Sequence, residues 1–230
     1  MSFDLALRLT EILVGLAFAF QSMEHMASRR DERLLFLVRF ILAILLIIGF
    51  HTQWVMFLLC VLALEIVHRF QGPYNGGADR MSILITCCLS LVYFLDQQHW
   101  KEIAFGYLAL QLTLSYFISG FVKVVNPEWR NGQAIVDVFH FSVYPASESL
   151  RGWAKWPKLL FVMGWGIMLF ELLFPLALVN QQTLFFALLI AASFHLANVF
   201  LLGLNRFFWI WISAYPSIIW FQDRVFSTLN

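Results

Sequence analysis

One lysine, Lys123, stands inside a membrane-length apolar run that ends in a Trp-x-x-Gly turn, Trp129 to Gly132. A charge in the hydrocarbon layer is expensive, so such a residue is a functional-site candidate by default. An amine held in an apolar bundle can act as a base once it has given up its proton. With about 100° between successive residues of a helix, Ser115, Tyr116, Ser119, Gly120 and Lys123 share one face. Small residues, hydroxyls and a cation suit a lined cavity better than a lipid contact. The competing reading is that Lys123, close to Pro127, snorkels to the headgroups.

Other apolar runs carry polar residues too. His195 and Asn198 sit at i, i+3 and face the interior of a bundle. A structural hydrogen bond and a ligand-facing role are both open for the histidine. Glu171 lies shortly before Pro175, where a lost backbone bond makes polar geometry unsurprising. It can be protonated, pair with Lys123 or pair with His195, and the sequence does not choose. Glu65, His68 and Arg69 close another run; di-metal bundles need two Glu-x-x-His motifs and two further glutamates, so an i, i+4 Glu65–Arg69 pair is expected and no metal. Gln21, Glu24 and His25 read as interfacial, and residues 72–80 read as a turn in which Asp79 caps the next helix. Cys60, Cys87 and Cys88 read as small packing residues. No nucleophile elbow, H-E-x-x-H or C-x-x-C-H motif is present.

The elements that position these residues are expected to be membrane helices. Of 230 residues 61% are hydrophobic and 13% charged, against roughly a half and a quarter in soluble domains. Twenty-five Phe and nine Trp suit lipid contact and interfacial anchoring. A net charge of +1 gives no case for a nucleic-acid partner. The opening Met-Ser-Phe-Asp lacks a basic n-region and a cleavage site, so the first apolar stretch is expected to be retained.

The pattern predicts an all-α polytopic bundle, one domain over 1–230, with about eight spans near 5–27, 34–50, 53–70, 81–97, 102–125, 158–179, 182–203 and 205–222. An insert near 126–157, holding Trp129, Pro145, Trp153 and Trp156, is expected on the membrane surface. Within it Gly132 to His140 forms an interfacial helix with Ile135, Val138 and Phe139 on one side. Lysine and arginine fall mostly on alternate connections, which places the insert inside and both termini outside.

Several segments together resemble one family. Gln111 through Gly132 is similar to the hallmark segment of vitamin K-dependent gamma-glutamyl carboxylase and of the bacterial membrane proteins grouped with it as the HTTM superfamily. Glu171 to Leu176, Phe194 to Asn198 with the following Gly203 to Phe207, and more loosely Phe94 to Trp100, resemble further blocks in the same order. The resemblance covers about residues 75–222 and implies a helical membrane core that handles a quinone, in a bacterial cytoplasmic membrane. In the carboxylase a lysine of this segment is the proposed base toward the hydroquinone; counted from the glycine, Lys123 falls on it, and His195 falls on a histidine of the Phe-His block.

The resemblance thus implies Lys123, His195 and Glu171 in proton transfer, with Tyr116, Ser119, Gly120, Asn198 and Trp129 at a quinone or quinol cofactor. Three departures speak against protein carboxylation. The carboxylase continues into a large lumenal region past the point where this chain ends, a long loop before the lysine helix is missing, and Val122 replaces a second lysine. Two readings follow: a membrane enzyme core whose peptide or small substrate comes in trans, or a non-catalytic subunit packed against other membrane proteins.

Overall fold

The computed structural model describes residues 1–28, 32–69, 76–141 and 148–226, and these contain helices and no strand. They fall into two compact units, one of residues 1–110 and 206–228, the other chiefly of residues 111–205.

The first unit opens with α1 (Phe3–Ser28) and α2 (Arg33–Ile48), which pack as a hairpin. Gly15 lets them meet closely, since a Cβ there would lie 3.0 Å from the Ala43 carbonyl oxygen. Helix α2 is apolar almost throughout and stops at Gly49, whose φ of 80° lets its N–H turn back to the Leu45 and Leu46 carbonyls. Arg8 of α1 donates to the Leu46 and Ile47 carbonyls, so it caps the end of α2. Next come α3 (Thr52–Arg69) and α4 (Gly76–Phe94), packed on each other, then the start of α5 (Gln98–Val125). The unit ends with α10 (Asn205–Ser213) and α11 (Tyr215–Phe226), and α11 packs on α1. Phe18, Phe36, Met56, Ile85, Leu89 and Phe105 are fully buried in its core.

The second unit takes up α5 from Gln111 onward. Asn126 caps α6 (Pro127–Arg130), where Pro127 begins the turn and the Asn126 side chain accepts from the Glu128 N–H at 2.8 Å. Gly132, at φ 84°, turns the chain into α7 (Gln133–Phe141). A 3-10 segment, Glu148–Lys155, follows, in which the bond from Arg151 holds the Glu148 carboxyl below the usual carboxylate range. Helix α8 (Pro157–Leu173) ends before Pro175, and the chain runs on as a 3-10 segment to Val179. Asn180 then caps α9 (Gln181–Leu202) through the Thr183 N–H at 2.8 Å, and Gly203 closes that helix at φ 68°.

Five stretches are long and apolar enough to cross a membrane: Thr52–Arg69, Gly77–Phe94, Gln98–Val125, Pro157–Val179 and Gln181–Leu202. They carry wide apolar faces, among them Val162, Phe186, Leu189 and Phe200, that fit a lipid bilayer. The expected all-α membrane bundle is found, with four local corrections. The eighth expected span is two helices broken at Ala214, where Pro216 cannot supply an N–H to the turn before it. Helix α4 already begins at Gly76, so Asp79 lies in its first turn and not at its cap, and it is buried. Gln21 and His25 are buried too. In α7, Ile135 and Phe139 pack on Leu160, while Val138, about a quarter turn round the helix from that seam, stays exposed. Residues 70–75 and Pro145 lie outside the described residues.

Candidate functional site

Helix α5 sets one polar face against the rest of its unit, and a glycine decides how close that face comes. A Cβ on Gly120 would lie 2.9 Å from the Glu171 carbonyl carbon and from the Leu172 Cα, with the Leu172 nitrogen nearer still. Only a residue without a side chain lets α5 and α8 touch backbone to backbone here. One residue before that contact and three after it, Ser119 and Lys123 then face Glu171.

Lys123 Nζ donates to Glu171 Oε2 at 2.5 Å and to Ser119 Oγ at 2.6 Å, and Ser119 Oγ donates to Glu171 Oε1 at 3.2 Å. The three side chains close a ring in which each carboxylate oxygen has a partner. Glu171 is buried, 5% exposed in its side chain, and Lys123 is 18% exposed. The Lys123 ammonium also lies 5.5 Å from the centre of the half-buried Trp129 ring. Of the three options open for Glu171, the structure takes Lys123.

Two turns earlier on α5, Tyr116 faces α9 and meets His195, with its hydroxyl 2.9 Å from Nε2. Tyr116 is sandwiched by packing, stacked on Phe174 at 4.2 Å and edge-on to Phe170. His195 is 5% exposed. Asn198, one turn further along α9, is half-buried, and its backbone carbonyl accepts the Leu204 N–H that closes the helix. Ser115 is turned to its own helix and donates to the Gln111 carbonyl at 2.7 Å. Along α5, about 10 Å separate the level of Tyr116 from that of Lys123.

The arrangement has one amine–carboxylate pair, one hydroxyl–imidazole pair and an aromatic ring beside the amine. It can pass a proton between amine and carboxylate, with the serine hydroxyl in contact with both. The expected Glu65–Arg69 pair is also formed, at 2.5 Å and on the surface. Among the described residues, no three His, Cys, Asp or Glu side chains are grouped to hold a metal. Cys60 and Cys87 are free thiols whose sulfurs are 3.3 Å apart, and Cys88 is free and buried.

Reading the sequence overlooked two polar networks in the first unit. Glu11, 1% exposed, accepts from Arg8 at 2.9 Å and from the Tyr93 hydroxyl. Arg39, 3% exposed, is within electrostatic reach of Asp79 and Arg206, and Arg206 in turn contacts His25. Each carried the same signal as Lys123, a charge inside an apolar run.

A family model described as HTTM domain matches residues 96–223, more than half of the chain. It covers every residue of the Lys123 site. Neither a curated protein nor a solved structure matches the chain at significant similarity.

Proposed function

The chain belongs to the HTTM family, and on that footing we propose that it is a membrane-embedded enzyme core that exchanges protons with a quinol. The observation that carries this reading is the Lys123–Ser119–Glu171 ring, a partly buried amine whose proton has a buried carboxylate to go to. The residues fit a quinone in kind. Lys123 offers a donor to a ring oxygen, and the Trp129 indole offers a flat apolar wall next to it. A quinol supplies an ionisable hydroxyl proton when bound. Lys123 first passes a proton from Nζ to Glu171 Oε2, and the neutral amine so formed can take the hydroxyl proton of the quinol, while Ser119 contacts both partners. Gly120 holds the two helices at the distance this needs. Tyr116 and His195 hold α5 against α9.

A second reading rests on the same ring. An amine fully engaged by a carboxylate and a hydroxyl is also what a purely structural tie between two membrane helices looks like. The chain would then be an accessory subunit whose apolar faces pack on lipid or on other membrane proteins. Extraction of the full chain in mild detergent, with mass spectrometry of all that comes with it, separates the two. A stoichiometric quinone that is lost in Lys123→Met/Glu171→Leu supports the enzyme core. Stoichiometric protein partners without quinone, retained by the same variant, overturn it in favour of the subunit.

A further inference from the structure

The first unit buries a second set of charges that the Lys123 site does not use. They gather where α1 finishes and where α2, α4 and α10 begin. Phe18, Gln21, Ser22 and His25 fall on one face of α1. The Arg39 guanidinium of α2 lies over the Phe18 ring at 4.0 Å, and His25 stacks on Phe36 at 4.1 Å. Gln21 and Ser22 therefore occupy the turn of α1 between those two contacts. Arg206, in the first turn of α10, reaches His25 Nε2 at 2.6 Å, while His25 Nδ1 is 2.9 Å from the Gln21 carbonyl oxygen. The same Arg206 nitrogen lies 3.1 Å from His25 Nδ1, so the guanidinium sits against the edge of the ring. Asp79 of α4 is buried within electrostatic reach of both Arg39 and Arg206.

Three buried atoms here have no hydrogen-bond partner: Arg39 Nε, Gln21 Oε1 and Ser22 Oγ. A buried polar atom left unpaired is costly, and a buried guanidinium much more so. Natural proteins keep such atoms where something else satisfies them. What would satisfy this set is defined by its chemistry. The guanidinium and the serine hydroxyl call for an oxyanion, and the Gln21 oxygen calls for a hydroxyl hydrogen. Arg206 adds positive charge within electrostatic reach of Arg39.

We propose that Arg39, with Arg206, Ser22 and Gln21, forms a binding site for a phosphate group, carried by an anionic phospholipid or free in solution. Arg39 grips the phosphate oxygens, its stack on Phe18 fixing the plane of the fork. Gln21 takes a hydroxyl hydrogen from the same ligand.

The full chain in nanodiscs of phosphatidylcholine provides the test, read as thermal unfolding and as adducts in native mass spectrometry. One arm adds phosphatidylglycerol to the disc, and the other adds inorganic phosphate against chloride at equal ionic strength. Binding to the folded state raises Tm. The expected result is a rise in one arm that Arg39→Met abolishes and that Arg80→Met, at an exposed arginine of α4, leaves intact. A rise with phosphatidylglycerol alone assigns a lipid headgroup, and a rise with phosphate alone assigns a soluble ion. Should Arg39→Met not fold, Gln21→Leu, which removes an acceptor unpaired within the protein, is expected to lower the response. No rise in either arm, or a rise that survives in Arg39→Met, or in Gln21→Leu where that variant stands in, overturns the proposal.

Discussion

Lys123 and Glu171 neutralise each other across two helices, and that mutual dependence can be measured. Removing one partner of a buried pair leaves the other charge uncompensated, at a cost of about 3–5 kcal/mol, whereas replacing both by apolar side chains is often neutral. Lys123 is partly accessible, so the lower end of that range applies. Lys123→Met alone and Glu171→Leu alone are each expected to lower stability by about 3 kcal/mol, and the double variant to return close to the parent. Thermal or denaturant unfolding in detergent checks this. Additive single effects would mean that the 2.5 Å contact is not the dominant interaction of either group. The double variant then becomes a tool: it keeps the fold while removing the proton-sharing pair, so any quinol-linked activity it loses belongs to chemistry and not to unfolding.

At the scale of elements, the site depends on how closely α5 and α8 approach. Gly120→Ala places a methyl group 2.9 Å from the Glu171 carbonyl carbon, and the atoms in its way are backbone, which cannot rotate aside. The helices must separate, at a cost of about 1–3 kcal/mol, and the Lys123–Glu171 contact lengthens with them. Gly166, on the exposed side of α8, has nothing within 4 Å of the place a Cβ would take. Gly166→Ala is therefore expected to be neutral or to stabilise by up to about 1 kcal/mol through helix propensity. Unfolding of the two variants side by side tests whether close approach, and not glycine content as such, is what α5 and α8 require. Equal effects at the two positions would refute it.

For the whole molecule, what the sequence made legible depended on whether the signal was local. Lys123 stood out because its neighbours are apolar, and its shared face with Ser119, Gly120 and Tyr116 followed from helical spacing alone. Its partner did not follow, because Glu171 and His195 are both polar residues in apolar runs and only the Gly120 contact decides between them. Gln21, His25 and Asp79 were misread for a related reason. In helices apolar on every side, periodicity cannot separate a residue facing lipid or interface from one facing a neighbour. Helix α10 looked continuous with α11 because the apolar run passes through Ala214 without interruption, although Pro216 marks the break. The same limit applies to the boundary of the family region. It begins at residue 96, yet the first unit joins residues on both sides of that point. Phe3 packs edge-on against Phe105 at 5.5 Å and Trp220 at 5.4 Å, and the Met1 amine pairs with Asp223 at 2.7 Å. Residues 96–230 alone would thus leave Phe105 and Trp220 without the cover they have in the full chain. That fragment is expected to aggregate when expressed by itself, and to be recovered when residues 1–95 are co-expressed as a separate chain. Size-exclusion chromatography in mild detergent decides the matter. A monodisperse 96–230 fragment on its own would show that the family region folds autonomously and that α1 to α4 are an addition to it, whereas recovery only with the first segment would make them part of one folding unit.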